Sequence, residues 1–110
     1  MGAGHPECPD RIDAIEDQLI ASGLAPLLQR HEAPTATDAQ LSRVHPQDYI
    51  DSIRAASPAS GVVHLDPDTA MSPGTLDAAL RAAGAGVMAT DLVMRGEADR
   101  AFCLVRPPGH

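Results

Sequence analysis

The sequence predicts an α/β domain, and two segments carry that prediction. Residues 101–105 are apolar at every position, which is typical of a parallel strand covered on both faces. Residues 75–94 form a long Ala- and Gly-rich helical pattern that suits close packing on a sheet. Because a parallel strand needs neighbours and no other segment is comparably apolar, we expect residues 1–110 to be a single partial domain, one piece of a larger α/β domain.

The remaining elements follow from helix-start and helix-stop signals and from turn residues. Proline favours the first turn of a helix, glycine favours the position just past its end, and Ser or Thr favours the N-cap. In order, these signals predict a helix over residues 9–22, a short helical turn over 37–44, a helix opened by Pro46, an extended run over 62–65, a turn over 66–69, and the helix over 75–94, capped by Ser72 and ended by Gly96.

Composition excludes several function classes. The formal net charge is -7, the eight basic residues are all scattered arginines, and there is no Trp, so we expect no nucleic-acid partner. No apolar stretch reaches the roughly 18 to 20 residues that span a bilayer, and no signal-peptide pattern opens the chain, so we expect no membrane partner and a cytoplasmic location. Cys8 and Cys103 are expected to be free thiols. No feature predicts the oligomeric state.

Three side chains are candidates for function. His110 follows the apolar run and an Arg-Pro-Pro-Gly turn, where open α/β sheets bind ligands; the alternative is a surface histidine. Arg11 falls in a first helical turn, against the helix dipole, which indicates a role such as holding a carboxylate bidentately. Asp68, in the Asp-Pro-Asp-Thr turn, is either part of a local Asx turn or a functional carboxylate at the rim of a site.

Common nucleotide-binding, calcium-binding and nucleophile motifs are missing. The sequence contains no G-x-G-x-x-G, P-loop or G-x-S-x-G pattern, and the Asp-Pro-Asp turn lacks the glycine and distant glutamate of an EF-hand. His5 and Glu7, at the head of the first helix, are interpreted as loop or helix-start residues.

Four segments in order resemble the N-terminal part of the histone deacetylase superfamily, especially its bacterial class II-like and acetylpolyamine amidohydrolase-like branch. They are His-Pro-Glu-Cys-Pro-Asp-Arg at 5–11, Leu-Asp-Pro-Asp-Thr at 65–69, the helix at 75–94, and the run ending Arg-Pro-Pro-Gly-His at 106–110. The resemblance implies the helix-rich N-terminal portion of an arginase- or deacetylase-like α/β fold with a central parallel sheet, incomplete in this chain. It also implies a zinc-dependent amidohydrolase that removes acetyl groups from lysine or polyamines.

The resemblance assigns roles to the three candidates. His110 would be the first of two tandem histidines, which stabilises charge and hydrogen-bonds the zinc-bound water. Arg11 would line the channel by which acetate leaves, and Asp68 would grip the substrate backbone at the rim. The second histidine, the zinc ligands and the transition-state tyrosine have no counterpart in these residues. We therefore expect no zinc bound to this chain and no activity from it alone; the alternative is a non-catalytic truncated product or helical interaction module.

Overall fold

The computed structural model describes residues 5–108. Residue contacts divide the chain into two compact units, one within residues 1–32 and one within residues 33–110. None of the helices in the described range combines the length and apolar character needed to cross a bilayer. The elements in chain order are α1 (Asp10–Ala21), one turn of 3-10 helix (Ala25–Leu27), α2 (Asp38–Leu41), α3 (Gln47–Ala56), β1 (Val63–Asp66), β2 (Thr69–Met71) and α4 (Thr75–Met94).

Helix α1 confirms the first predicted helix to within one residue at each end. Its predicted stop is also confirmed: Gly23 has φ +77°, a left-handed conformation that glycine adopts at little cost. The N–H of Gly23 donates to the carbonyl of Ile20, and that of Leu24 donates to Leu19, both at 3.1 Å. These two bonds form a Schellman motif, which satisfies carbonyls that the helix end would leave unpaired.

An ion pair ties the end of the first unit back to α1. Both terminal nitrogens of Arg30 donate to the Glu16 carboxylate, Nη1 to Oε1 at 2.9 Å and Nη2 to Oε2 at 2.8 Å. These hydrogen bonds, followed by the charge of Arg30, hold the pKa of Glu16 below its ordinary value. Because two parallel hydrogen bonds join the two groups, their relative orientation is better defined than in a surface ion pair with a single contact.

The short helix α2 begins with a capping box. The N–H of Gln40 donates to Thr37 Oγ1 at 3.2 Å, and the N–H of Thr37 donates to Gln40 Oε1 at 3.0 Å. This arrangement confirms the predicted helical turn and explains why four residues can hold a helix here. The Arg54 side chain donates to the Asp38 carboxylate, which lowers the pKa of Asp38, and so joins α3 to α2.

Helix α3 begins after Pro46, which is its N-cap residue rather than its first helical residue. Its isoleucines face inward, with Ile50 buried and Ile53 half-buried, whereas Tyr49 is exposed. The ring of Tyr49 lies 5.2 Å from the ring of His45, centroid to centroid.

Strands β1 and β2 form an antiparallel hairpin. Val63 pairs with Met71 and Asp66 with Thr69, and the register is irregular between His64 and Asp66. The sequence predicted the extended run and the turn but not β2, because a strand this short does not show an alternating pattern. Met71 is the most buried apolar side chain of the described residues, with 3% exposed.

Helix α4 has the predicted bounds, but Ser72 is not its N-cap. The N-cap is Gly74, with φ +91° and ψ -14°. The N–H of Thr75 donates to the Ser72 carbonyl at 3.1 Å, so Ser-Pro-Gly-Thr forms a type II turn that requires the glycine. At the other end Gly96, the predicted stop, has φ +76° and completes a second Schellman motif.

A loop touches α4 at a position where only glycine fits. A Cβ atom on Gly84 would lie 1.8 Å from the carbonyl oxygen of Pro34 and 3.1 Å from the backbone nitrogen of Ala36. The N–H of Ala36 donates to the Leu80 carbonyl at 2.9 Å, and Arg81 Nη1 donates to the Ala33 carbonyl at 3.0 Å. The loop backbone therefore lies directly against the helix, and Ala36 is buried between them.

The predicted strand at 101–105 and the central parallel sheet are not seen among the residues that the structure describes. That segment has no strand assignment, and the sheet found among residues 5–108 is the β1–β2 hairpin rather than a parallel sheet. A strand needs a hydrogen-bonded neighbour, and none lies beside this segment in the described range. Phe102 is 75% exposed.

We expect Gly84→Ala to lower the free energy of unfolding by roughly 1–3 kcal/mol, because the added methyl overlaps the Pro34 carbonyl. The control is Gly86→Ala on the same helix, where a Cβ meets nothing within 4 Å. There the gain in helix propensity should stabilise the chain by about 0.5–1 kcal/mol. Urea unfolding of both variants measures the difference, and equal effects of the two substitutions would contradict the close approach.

We expect Arg30→Gln to raise the pKa of Glu16 toward its ordinary value. A carboxylate whose pKa is lowered by folding adds stability at pH values above its unfolded pKa and loses that contribution as the pH falls through the folded pKa. The variant should therefore lose less stability between about pH 5 and about pH 3 than the parent chain does. A carbon-13 NMR titration of the Glu16 carboxyl measures the shift. Arg43→Gln is the control, since the described residues show no ion pair for Arg43.

Candidate functional site

The structure describes two of the three predicted site residues. Arg11 lies in the first unit and Asp68 in the second, while His110 lies outside the described residues. The apolar run before His110 leads into a cis peptide bond between Arg106 and Pro107.

Arg11 occupies the first turn of α1 and holds a carboxylate, as its unfavourable position relative to the helix dipole indicates. Its Nη1 donates to Oε1 of Glu7, four residues earlier in the same chain. The contact uses one guanidinium nitrogen rather than the predicted fork. The side chain of Glu7 is only 11% exposed and that of Arg11 is 41% exposed, so the carboxylate lies inward of the guanidinium.

His5 and Glu7 belong to the same structure as Arg11. The N–H of Glu7 donates to Nδ1 of His5 at 3.0 Å, which fixes the backbone from which the Glu7 side chain extends. The sequence-based interpretation of both as loop or helix-start residues misses this connection. The acid lies four residues before the arginine, but Glu7 precedes α1, so the helical i,i+4 rule is only a partial signal for the pair.

Asp68 lies in the turn between β1 and β2. Its N–H donates to Oδ1 of Asp66 at 2.8 Å, so the predicted local Asx turn is confirmed with Asp66 as the residue that forms it. Asp68 itself is exposed at the tip of the hairpin. Its role as a functional carboxylate stays a prediction, because the bond that forms the turn uses the Asp68 backbone and not its side chain.

The described residues do not fit a metal centre. Between residues 5 and 108, no three His, Cys, Asp or Glu side chains converge closely enough to hold a metal ion. Cys8 and Cys103 are free thiols, as predicted. The chemistry that Arg11 and Asp68 can supply is anion binding by the first and acceptance of hydrogen bonds by the second.

Comparisons with known proteins identify relatives over almost the whole chain. Residues 5–110 match the family described as the histone deacetylase domain. The histone deacetylase-like amidohydrolase of Pseudomonas aeruginosa is 43% identical over 108 residues, which are 98% of this chain and 28% of that protein. The polyamine deacetylase HDAC10 of Homo sapiens is 33% identical over 118 aligned positions, covering 96% of this chain and 17% of that protein.

A solved structure agrees with these relatives. The crystal structure of the HDA15 HD domain superimposes with a TM-score of 0.89 at 31% identity, covering 100% of this chain and 31% of that one. This likeness supports a deacetylase-type α/β fold. The chain thus spans less than a third of the length of the relatives it matches here.

We expect Asp66→Ala to open the hairpin turn, because the Asp68 N–H loses its acceptor. Hydrogen exchange at that N–H should become roughly two- to tenfold faster, the equivalent of one net hydrogen bond. Asp66→Asn keeps a side-chain oxygen at the same position and should exchange like the parent. Equal exchange in the alanine and asparagine variants would show that Asp66 does not hold the turn.

Proposed function

The chain belongs to the histone deacetylase family, and from that premise we propose that it forms part of a site at which an acetylated amine is hydrolysed. The observation that carries the proposal is the match of residues 5–110 to the family's domain. Because the chain covers only a fraction of its relatives, we propose this activity for a complete catalytic domain rather than for the 110 residues alone.

The substrate class follows from the relatives. One is named a deacetylase-like amidohydrolase and another a polyamine deacetylase, which supports an acetylated lysine or an acetylated polyamine as substrate. In such a hydrolysis, water adds to the amide carbonyl carbon and the carbon–nitrogen bond breaks. The products are acetate and an amine that takes up a proton.

Zinc dependence of a complete enzyme is part of the proposal and rests on the resemblance. A bound zinc ion would polarise the amide carbonyl and make a water nucleophilic. Among residues 5–108 no three potential ligand side chains converge, so the described residues do not complete a zinc site by themselves.

Each candidate residue has a role that suits its chemistry. Arg11 offers a guanidinium whose N–H groups match a carboxylate, which suits contact with departing acetate. Asp68 offers an exposed carboxylate at a hairpin tip, which suits acceptance of hydrogen bonds from the amide N–H groups of a substrate. His110 offers an imidazole that can hydrogen-bond the attacking water.

A second candidate function is association without catalysis, as a helical interaction module. It is favoured by the burial pattern, since only Ala36, Ile50 and Met71 form a buried apolar core among the described residues. The large apolar side chains that stay exposed are Ile20, Leu24, Leu27, Leu28, Val44, Tyr49, Val62, Val63, Leu65, Val93, Met94 and Phe102. The same exposure is expected of a chain that packs within a larger domain. A measurement of activity is therefore needed to distinguish hydrolysis in a complete domain from association without catalysis.

A chimeric enzyme makes that separation. In the Pseudomonas aeruginosa relative, the 28% of the protein that matches this chain is replaced by residues 1–110. We expect the chimera to release acetate from an acetyl-lysine peptide or from an acetylated polyamine. His110→Ala should lower kcat roughly 10²- to 10⁴-fold, the usual contribution of a residue that handles a proton, while Asp68→Ala should mainly raise KM.

The parent relative and the isolated chain are the controls. A folded chimera that is inactive under conditions where the parent relative is active would contradict the proposed function and favour the association module. Acetate release by residues 1–110 alone would contradict the need for a complete domain.

A further inference from the structure

Glu7 is held through both its backbone and its side chain. Its carboxylate accepts from Arg11 Nη1, and its own backbone N–H donates to His5 Nδ1 at 3.0 Å. With a side chain only 11% exposed, the carboxylate has lost much of its hydration and needs a charged donor. Arg11 supplies that donor from the next turn of the chain.

Arg11 in turn needs a partner to hold its orientation. A cation in the first turn of a helix faces the positive end of the helix dipole, and an arginine side chain carries about 2 kcal/mol of rotamer entropy when free. Asp10 and Asp13 lie in the same turn, but within the described range the side-chain acceptor of Arg11 is Glu7. Glu7 is therefore the residue that sets where the guanidinium points.

We propose that Glu7 is a positioning residue for Arg11, which orients the guanidinium and weakens its hold on a carboxylate product. The inference rests on the proposed role of Arg11 in the departure of acetate. One nitrogen of Arg11 is engaged by Glu7, and the remaining N–H groups of its side chain are the ones that acetate would meet.

The charge of Glu7 is the reason why Arg11 would hold a carboxylate product less tightly. An arginine alone attracts a carboxylate strongly, and a strong site in an exit route retains the product. With the Glu7 carboxylate already on the guanidinium, an arriving acetate meets a nearly neutral pair and is repelled by the first carboxylate. Acetate is then guided by hydrogen bonds without being held by charge, which favours fast release.

The first experiment is nitrogen-15 NMR of the arginine side chains in the full 110-residue chain. Glu7→Ala should make the Arg11 side-chain N–H signals exchange with water faster and lose their distinct shifts, whereas Glu7→Gln keeps an oxygen acceptor and should preserve them. The matched control is Glu16→Ala, which releases Arg30 in the same unit and should leave the Arg11 signals unchanged. Circular dichroism checks that each variant keeps its helices. Unchanged Arg11 signals in Glu7→Ala would overturn the proposal.

The second experiment measures acetate inhibition in the chimeric enzyme. Glu7→Gln should bind acetate roughly three- to tenfold tighter, as expected when one neighbouring charge is removed, with little change in KM for the acetylated amine. A purely structural role would instead leave acetate inhibition unaltered or change KM and kcat together. Equal acetate inhibition of the parent chimera and of its Glu7→Gln variant would overturn the proposal.

The two experiments also separate this inference from the function on which it rests. An inactive chimera counts against the proposed function alone, because the NMR experiment needs no activity and still decides whether Glu7 positions Arg11.

Discussion

The second unit depends on a close contact between the loop at 33–36 and helix α4. The Pro34 carbonyl occupies the space that a side chain at residue 84 would need. Because Gly84 has no side chain, the loop backbone comes close enough to hydrogen-bond with the Leu80 carbonyl and the Arg81 guanidinium. Ala36 becomes buried as a result. Few apolar side chains are buried in the described residues. The hydrogen bonds between the loop and α4 therefore contribute much of the free energy that holds the loop against the helix.

Local signals predicted the helices well because their causes are local. The bounds of α4 and the stop at Gly23 follow from residues within one turn of each helix end. The predicted N-cap of α4 is wrong because Ser72-Pro73 also suits a type II turn. Gly74 adopts the left-handed conformation that the third residue of this turn requires, so the turn forms and the helix begins after Gly74. The strand predicted at 101–105 stays a prediction, because a parallel strand depends on a hydrogen-bonded neighbour and none lies beside it in the described residues.

In the candidate site, too, local features were predictable and features that depend on the folded structure were not. The helix dipole argument identified Arg11 and anticipated a carboxylate partner, but it did not single out Glu7, although the spacing fits an ion pair. For the turn at 66–69 the sequence left two alternatives, a local Asx hydrogen bond and a functional carboxylate; the structure contains the Asx bond, whose donor and acceptor depend on the folded turn. The approach of the loop to Gly84 had no sequence signal, since glycine inside an Ala-rich helix is equally consistent with open space, as at Gly86.

The two Schellman motifs also bear on the order in which the chain folds. Gly23 and Gly96 close their helix ends through bonds to residues three to five positions earlier, so α1 and α4 can terminate before any distant contact exists. The Arg81–Ala33 bond, by contrast, joins residues 48 positions apart and carries the entropy cost of closing that loop. The end of α4 at Gly96 is therefore fixed by local bonds, whereas the contact between the loop and α4 requires the closure of a long loop.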